Sequence, residues 1–203
     1  MLSRTARRAA DTLPLLPGGA GGLTLTPGRV HEFCGPARRT LAALALSAGG
    51  QAAEGVVWIA PSWAEEELMA GGLAAFLDPG RLLIVRGKSL PDLLWAMEEA
   101  LRSGAGAVVA DLPEVPDLTP MRRLQLAAEA GGRAALALTL TPGEGGAAGA
   151  ATRWSLAPAP ADGWQLVRLR ARLAPPAAWH LVPTPEGLTF LSAPEPIALL
   201  AAA

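Results

Sequence analysis

Short apolar runs alternating with helix-patterned segments constrain this chain more than any other feature of its sequence. Val30–Cys34, Val56–Ala60, Leu82–Arg86, Ala107–Asp111 and Ala134–Leu140 are too short for stable helices and rich in apolar residues. Between them lie segments with helical signals. Thr40–Ala48 is one, and Trp63–Leu77, weakened by an interior Gly-Gly, is another. A third has Ser89 as N-cap, Pro91 in the first turn and Asp92 three residues after the cap. Its Leu90, Leu93, Leu94, Met97 and Leu101 mark one face. Thr119 and Pro120 open a fourth that stops near Gly131-Gly132. Apolar strands separated by helices predict a parallel sheet covered on both faces.

After Thr141 the pattern changes. "TPGEGGAAGAA" reads as a loop, and Thr152–Ala157, Trp164–Leu173 and Ala178–Val182 follow as strands with no helix between them. Strands joined by proline-rich turns predict antiparallel additions at the sheet edge. The expected organisation is a partly flexible lead-in over residues 1–28, one domain over 29–192 and a tail over 193–203.

Composition excludes several classes. The 203 residues are 51% hydrophobic, enough for one core and too apolar for disorder, and the net charge of −1 gives no global attraction to nucleic acid or anionic membrane. Cys34 is the only cysteine, so no disulfide framework forms within one chain, and its apolar strand marks it as a small buried hydrophobe. His31 and His180 are far apart in sequence without metal-ligand spacing, so no metal is expected. The N-terminus lacks the apolar core of a secretory signal and no run spans a membrane, so a cytoplasmic protein is expected.

The segment "EFCGPARRTLAALAL" carries the chemistry. A strand ends in Gly-Pro and a helix follows, which is the setting of a phosphate-binding loop. Here Gly35 and Thr40 stand five positions apart where such a loop needs seven. Pro36 removes an amide donor, Arg38 stands where a glycine would let the backbone approach, and Arg39 replaces the lysine. Asp111, ending "AVVAD", holds the place of a magnesium-binding carboxylate, or else serves as a turn residue. After the second strand, Pro61 and Ser62 stand where a water-orienting carboxylate would be. Glu65, Glu66 and Glu67 read as a solvated first turn. Gly35, Arg38, Arg39, Thr40 and Asp111 are thus a vestigial nucleotide site with no cofactor and no catalytic residue expected.

"WQLVRLRARL" alternates. The spacing places Gln165, Val167, Leu169, Ala171 and Leu173 on a face expected to meet the core, and Trp164, Leu166, Arg168, Arg170 and Arg172 on the other. That second row could contact a nucleic-acid backbone, an acidic partner segment, or simply protect an edge strand with charge. Trp154 on the preceding strand is either core or contact surface. With six tryptophans and no tyrosine, at least one exposed indole is expected.

"GRVHEFCGPARRTLAALAL" resembles the strand, phosphate loop and helix of RecA with the loop shortened. "LLIVRGKSLPDLLWAMEEALRSGAGAVVADLPEVPDLTP" is similar to its third strand, helix and Walker-B strand. Compact RecA relatives with an "ATRW" strand and an "R-x-R" strand resemble the ImuA family. The resemblance covers about residues 20–182 and implies a RecA-like α/β P-loop core without ATP hydrolysis. It also implies a non-enzymatic accessory role in damage-induced translesion synthesis, part of the SOS response. The implied partners are ImuB, an inactive Y-family polymerase homologue, and also RecA and an error-prone C-family polymerase, with DNA contacted indirectly. Two alternatives stay open: an inhibitor of cell division that binds the tubulin-like division protein, and a weak NTPase using Thr40, Asp111 and an arginine.

Overall fold

In the computed structural model, residues 12–50, 55–64, 68–131, 136–160, 163–184, 187–190 and 195–196 are described. The expected turn Glu65–Glu67 and the tail beyond Pro196 lie outside them.

The five apolar runs form five parallel strands, β3 (Val30–Cys34), β4 (Val56–Pro61), β5 (Leu82–Gly87), β6 (Ala107–Asp111) and β7 (Leu136–Leu140). The C-terminal half adds β8 (Thr152–Ala159), β9 (Gly163–Ala171), β10 (Ala177–Thr184), β11 (Gly187–Phe190) and the short β12 (Glu195–Pro196). The sheet order is β11-β10-β9-β8-β3-β7-β6-β4-β5, with β12 beside β10. β8 runs parallel to β3, and the expected antiparallel additions begin at β9. The central strands β3, β6 and β7 are buried at every position, because the chain covers both faces of the parallel part.

One face packs on α1 (Arg38–Gly49), where Leu41, Ala42, Leu44, Ala45 and Leu46 meet Phe33, Trp58 and Leu138. The lead-in completes this face. β1 (Leu13–Pro14) and β2 (Thr24–Leu25) pair antiparallel around a 3₁₀ turn at Pro17–Gly22, and Leu15, Leu16, Leu23 and Leu25 are buried in the same core. The other face packs on α3 (Leu90–Arg102) and α4 (Leu118–Ala130) through Leu93, Met97, Leu101, Met121 and Leu124. Ser89 caps α3 by accepting from the Asp92 amide, as its sequence predicts. Glu98, almost fully buried, ties α3 to α4 by accepting from Arg102 at 2.6 Å and Arg123 at 2.7 Å.

Two sequence expectations change. α1 begins at Arg38, two residues before Thr40. Among the described residues of the helix expected over Trp63–Leu77, only α2 (Ala70–Leu73) is helical, because Gly71 and Gly72 weaken propagation and Met69 before it is extended.

His31, on central strand β3, is fully buried yet fully bonded. The pattern assigns Nε2 as the donor to the Thr26 carbonyl at 2.9 Å, leaving Nδ1 to accept from the Thr152 hydroxyl at 2.7 Å. Thr152 Oγ1 in turn accepts from the Trp154 indole at 2.9 Å. Burial holds the imidazole neutral, pushing its pKa down to about 4 from 6.5, against the opposing pull of the Thr26 bond. Between these two values the unfolded chain binds a proton that the folded chain does not, so stability falls as pH falls through this window. Urea unfolding should therefore show a loss of about 2 kcal/mol on going from pH 6.5 to about pH 5. His31→Gln, which does not titrate there, should flatten that slope.

Candidate functional site

The turn between β3 and α1, expected from the sequence to be a vestigial phosphate loop, has its backbone occupied by bonds within the protein. Gly35 N–H donates to the Gly143 carbonyl at 3.0 Å, and Ala37 N–H to the Leu156 carbonyl at 3.0 Å. Arg38 N–H donates to the Gly35 carbonyl at 3.3 Å, and Pro36 has no N–H. Every amide from Gly35 to Arg38 is thus committed inside the protein. A phosphate cradle needs several such amides converging on empty space.

The turn also lies hard against β8. Gly35 has φ +82°, and a Cβ there would stand 2.5 Å from Ser155 Oγ and 2.8 Å from the Leu156 carbonyl. Only glycine fits, here because of contact with the protein's own backbone.

Asp111, at the end of β6, meets both arginines of the turn. Its Oδ2 accepts from Arg39 Nε at 2.5 Å, and its Oδ1 lies 3.5 Å from Arg38 Nη2. The carboxylate is nearly buried, while the two guanidinium groups are about one-quarter exposed. This cluster answers two electrostatic problems at once. Two arginines in the first turn oppose the positive end of the helix dipole, and a carboxylate ending a buried strand needs a counter-charge. Each side meets the need of the other, and the guanidinium groups cover the oxygens a metal would require. Gly35, Arg38, Arg39, Thr40 and Asp111 are therefore brought together, with Thr40 half-buried in the first turn of α1.

One residue here was not singled out from the sequence. Glu32, wholly buried on β3, accepts from Thr141 Oγ1 at 2.7 Å, the Gly146 amide at 2.9 Å and the Ala147 amide at 3.0 Å. Arg153 Nε on β8 completes the set at 2.7 Å. Burial disfavours its charge, but the bonds from Arg153, Thr141, Ala147 and Gly146 outweigh that and hold the carboxyl below its ordinary value. A Cβ at Gly145, φ +71°, would stand 2.6 Å from Glu32 Oε1, so the loop approaches because it is glycine there. The available signal was a carboxylate inside a short apolar strand, which demands buried partners. Cys34 beside it matches its sequence reading. Its thiol is buried, bonds the Glu144 and Trp154 carbonyls, and is raised to about 11 by burial, with the Glu32 charge adding to the rise.

The arginine–tryptophan strand departs from its expected geometry. Leu166 is fully buried and Gln165 exposed, so the core face of β9 carries Trp164, Leu166 and Arg168, the opposite of the alternation reading. Both faces mix apolar and polar residues, and the antiparallel extension is covered on one side only, so alternation alone could not choose. The row also breaks. Trp154 pairs with Arg168, but the adjacent Arg153 pairs with Arg170, leaving Leu169 as a bulge. The bulge turns Arg168 and Arg170 to opposite faces. Arg168 lies over the rings of Trp179 at 5.1 Å and Trp154 at 5.7 Å and donates to the Pro175 carbonyl. Trp154 is 2% exposed and is a core residue rather than a contact residue, and Trp164 is half-buried. The exposed indoles are Trp63 and Trp95.

Among the described residues no group of three or more His, Cys, Asp or Glu is placed to hold a metal ion. No helix among them is long and apolar enough to cross a membrane.

Fold and site together define an α/β protein with a mainly parallel central sheet, whose strand–turn–helix corner is closed by its own backbone and an Arg–Asp–Arg cluster. Among curated proteins, the chain is similar to Protein ImuA from two strains of Caulobacter vibrioides, NA1000 / CB15N and ATCC 19089 / CIP 103742 / CB 15. Identity is 34% over 62% of this chain and 59% of each relative. The chain thus spans about three-fifths of the length of the curated relatives it matches. No protein-family model matches it.

Two substitutions test the closed corner. Gly35→Ala should cost about 2–3 kcal/mol, read as a lower urea midpoint, from the clash with β8 and the positive φ. Asp111→Asn leaves two guanidinium groups facing a neutral amide and should cost about 2–3 kcal/mol by the same measurement.

Proposed function

We propose that this chain is a RecA-like core that has given up its nucleotide and works as a non-enzymatic accessory in damage-induced, error-prone translesion DNA synthesis. The observation that carries this reading is the committed backbone of residues 35–38. A triphosphate could enter only by breaking the bonds to Gly143 and Leu156 and displacing two arginines from Asp111. The similarity to Protein ImuA supports the mutagenesis setting.

A protein of this kind acts through its surfaces. Large exposed apolar side chains lie on or beside the edge pair β4–β5: Trp63 at 51%, Met69 at 77%, Leu83 at 61% and Ile84 at 43%. β5 ends the sheet order, so its outer backbone edge has no strand partner among the described residues. Exposed apolar surface at an unpaired edge favours docking to another protein. The proposed partners are the ImuB-like polymerase homologue first, then RecA and the C-family polymerase.

Isothermal titration with ATP and magnesium should give no heat of binding at millimolar ligand. Co-purification should recover a complex with the ImuB-like partner at micromolar concentrations, and Leu83→Asp should weaken it about tenfold or more. Nucleotide binding with hydrolysis, or no complex, would overturn the reading.

A further inference from the structure

At the opposite end of β3 from the closed corner, the surface opens into a groove of about 1060 Å³. Its lining includes Gly149, Ala150, Thr152 and Trp154. Four arginines line it: Arg29 from the turn before β3, and Arg168, Arg170 and Arg172 from β9 and its exit. No described lining residue carries a carboxylate. Arg29 is paired with Glu129 and Arg168 is held by its indole pair and Pro175, whereas Arg170 and Arg172 make no ion pair among the described residues.

We propose that this groove binds single-stranded nucleic acid through its phosphates. Three of its guanidinium groups, those of Arg168, Arg170 and Arg172, make no ion pair among the described residues, and without a carboxylate in the lining they favour a polyanion. Guanidinium forks match phosphate oxygens two at a time. The β9 bulge places Arg168 against the floor and turns Arg170 away from it, so the charges surround the groove instead of forming the expected flat row. An acidic protein segment would also need an apolar anchor pocket, and of the large apolar side chains in the lining Leu23 and Trp154 are buried, which leaves Leu173 alone exposed. The one indole in the lining is buried, so bases are not stacked and recognition is independent of sequence.

The test is fluorescence anisotropy of the full chain with a labelled oligothymidylate of about 30 nucleotides. A saturable micromolar signal at about 50 mM salt is expected, weakening toward about 200 mM with a log–log slope of about −2 to −3 for three or four phosphates. Arg170→Gln combined with Arg172→Gln should bind at least about tenfold more weakly and lose about 1.4 of that slope. Circular dichroism and the urea midpoint should not change, because both side chains are exposed. Arg168 is left intact because it props Trp154 and Trp179. Poly-glutamate of matched charge should not displace the oligonucleotide. No signal at about 50 µM protein, unchanged binding by the double variant, or equal displacement by poly-glutamate would overturn the proposal. The last would assign the groove to acidic polypeptide.

Discussion

The buried carboxylate of Glu32 organises the end of the sheet on which the rest of the molecule turns. A charge at the centre of a parallel sheet is tolerated only with full compensation. Glu32 obtains it by drawing in the Gly146 and Ala147 amides, the Thr141 hydroxyl and the Arg153 guanidinium. Those bonds fix the loop between β7 and β8 and fasten β8 beside β3. Fixing the loop puts the Gly143 carbonyl over Gly35, and fastening β8 puts the Leu156 carbonyl over Ala37. The two bonds that close the β3–α1 corner therefore depend on how one buried glutamate is satisfied.

Asp111 shows the same economy at the neighbouring strand end. The Asp111 carboxylate, expected from the sequence either to bind magnesium or to serve as a turn residue, faces Arg38 and Arg39. The shortened turn makes this possible, because starting α1 at Arg38 brings both arginines into the first helical turn. The positive groove at the other end of β3 has the reverse character: four guanidinium groups, of which only that of Arg29 is ion-paired among the described residues. One end of the central strand is neutralised from within, while the other keeps its charge for something outside.

The legible parts of the structure were those governed by local periodicity. The strands β3 and β6 match their sequence ranges, and the Ser89 cap and the buried face Leu93, Met97 and Leu101 follow from side-chain spacing. The shortened loop, too, could be counted along the chain. Glu32 escaped notice because its partners lie more than a hundred residues away. The β9 face was misread because the bulge at Leu169 depends on pairing with β8, and the sequence of β9 alone does not encode it.

By itself, the sequence determined that this chain would build a parallel α/β sheet with only four residues between Gly35 and Thr40 at its first strand-to-helix turn. Those properties follow from 2.0- and 3.6-residue periodicities and from the number of amides between two positions. Only the tertiary structure decided that the Gly35 and Ala37 amides are consumed by Gly143 and Leu156, that Asp111 is answered by arginines, and that four guanidinium groups line one groove. Each of these brings together groups remote in sequence, whose distances are set by sheet order and not by the chain between them.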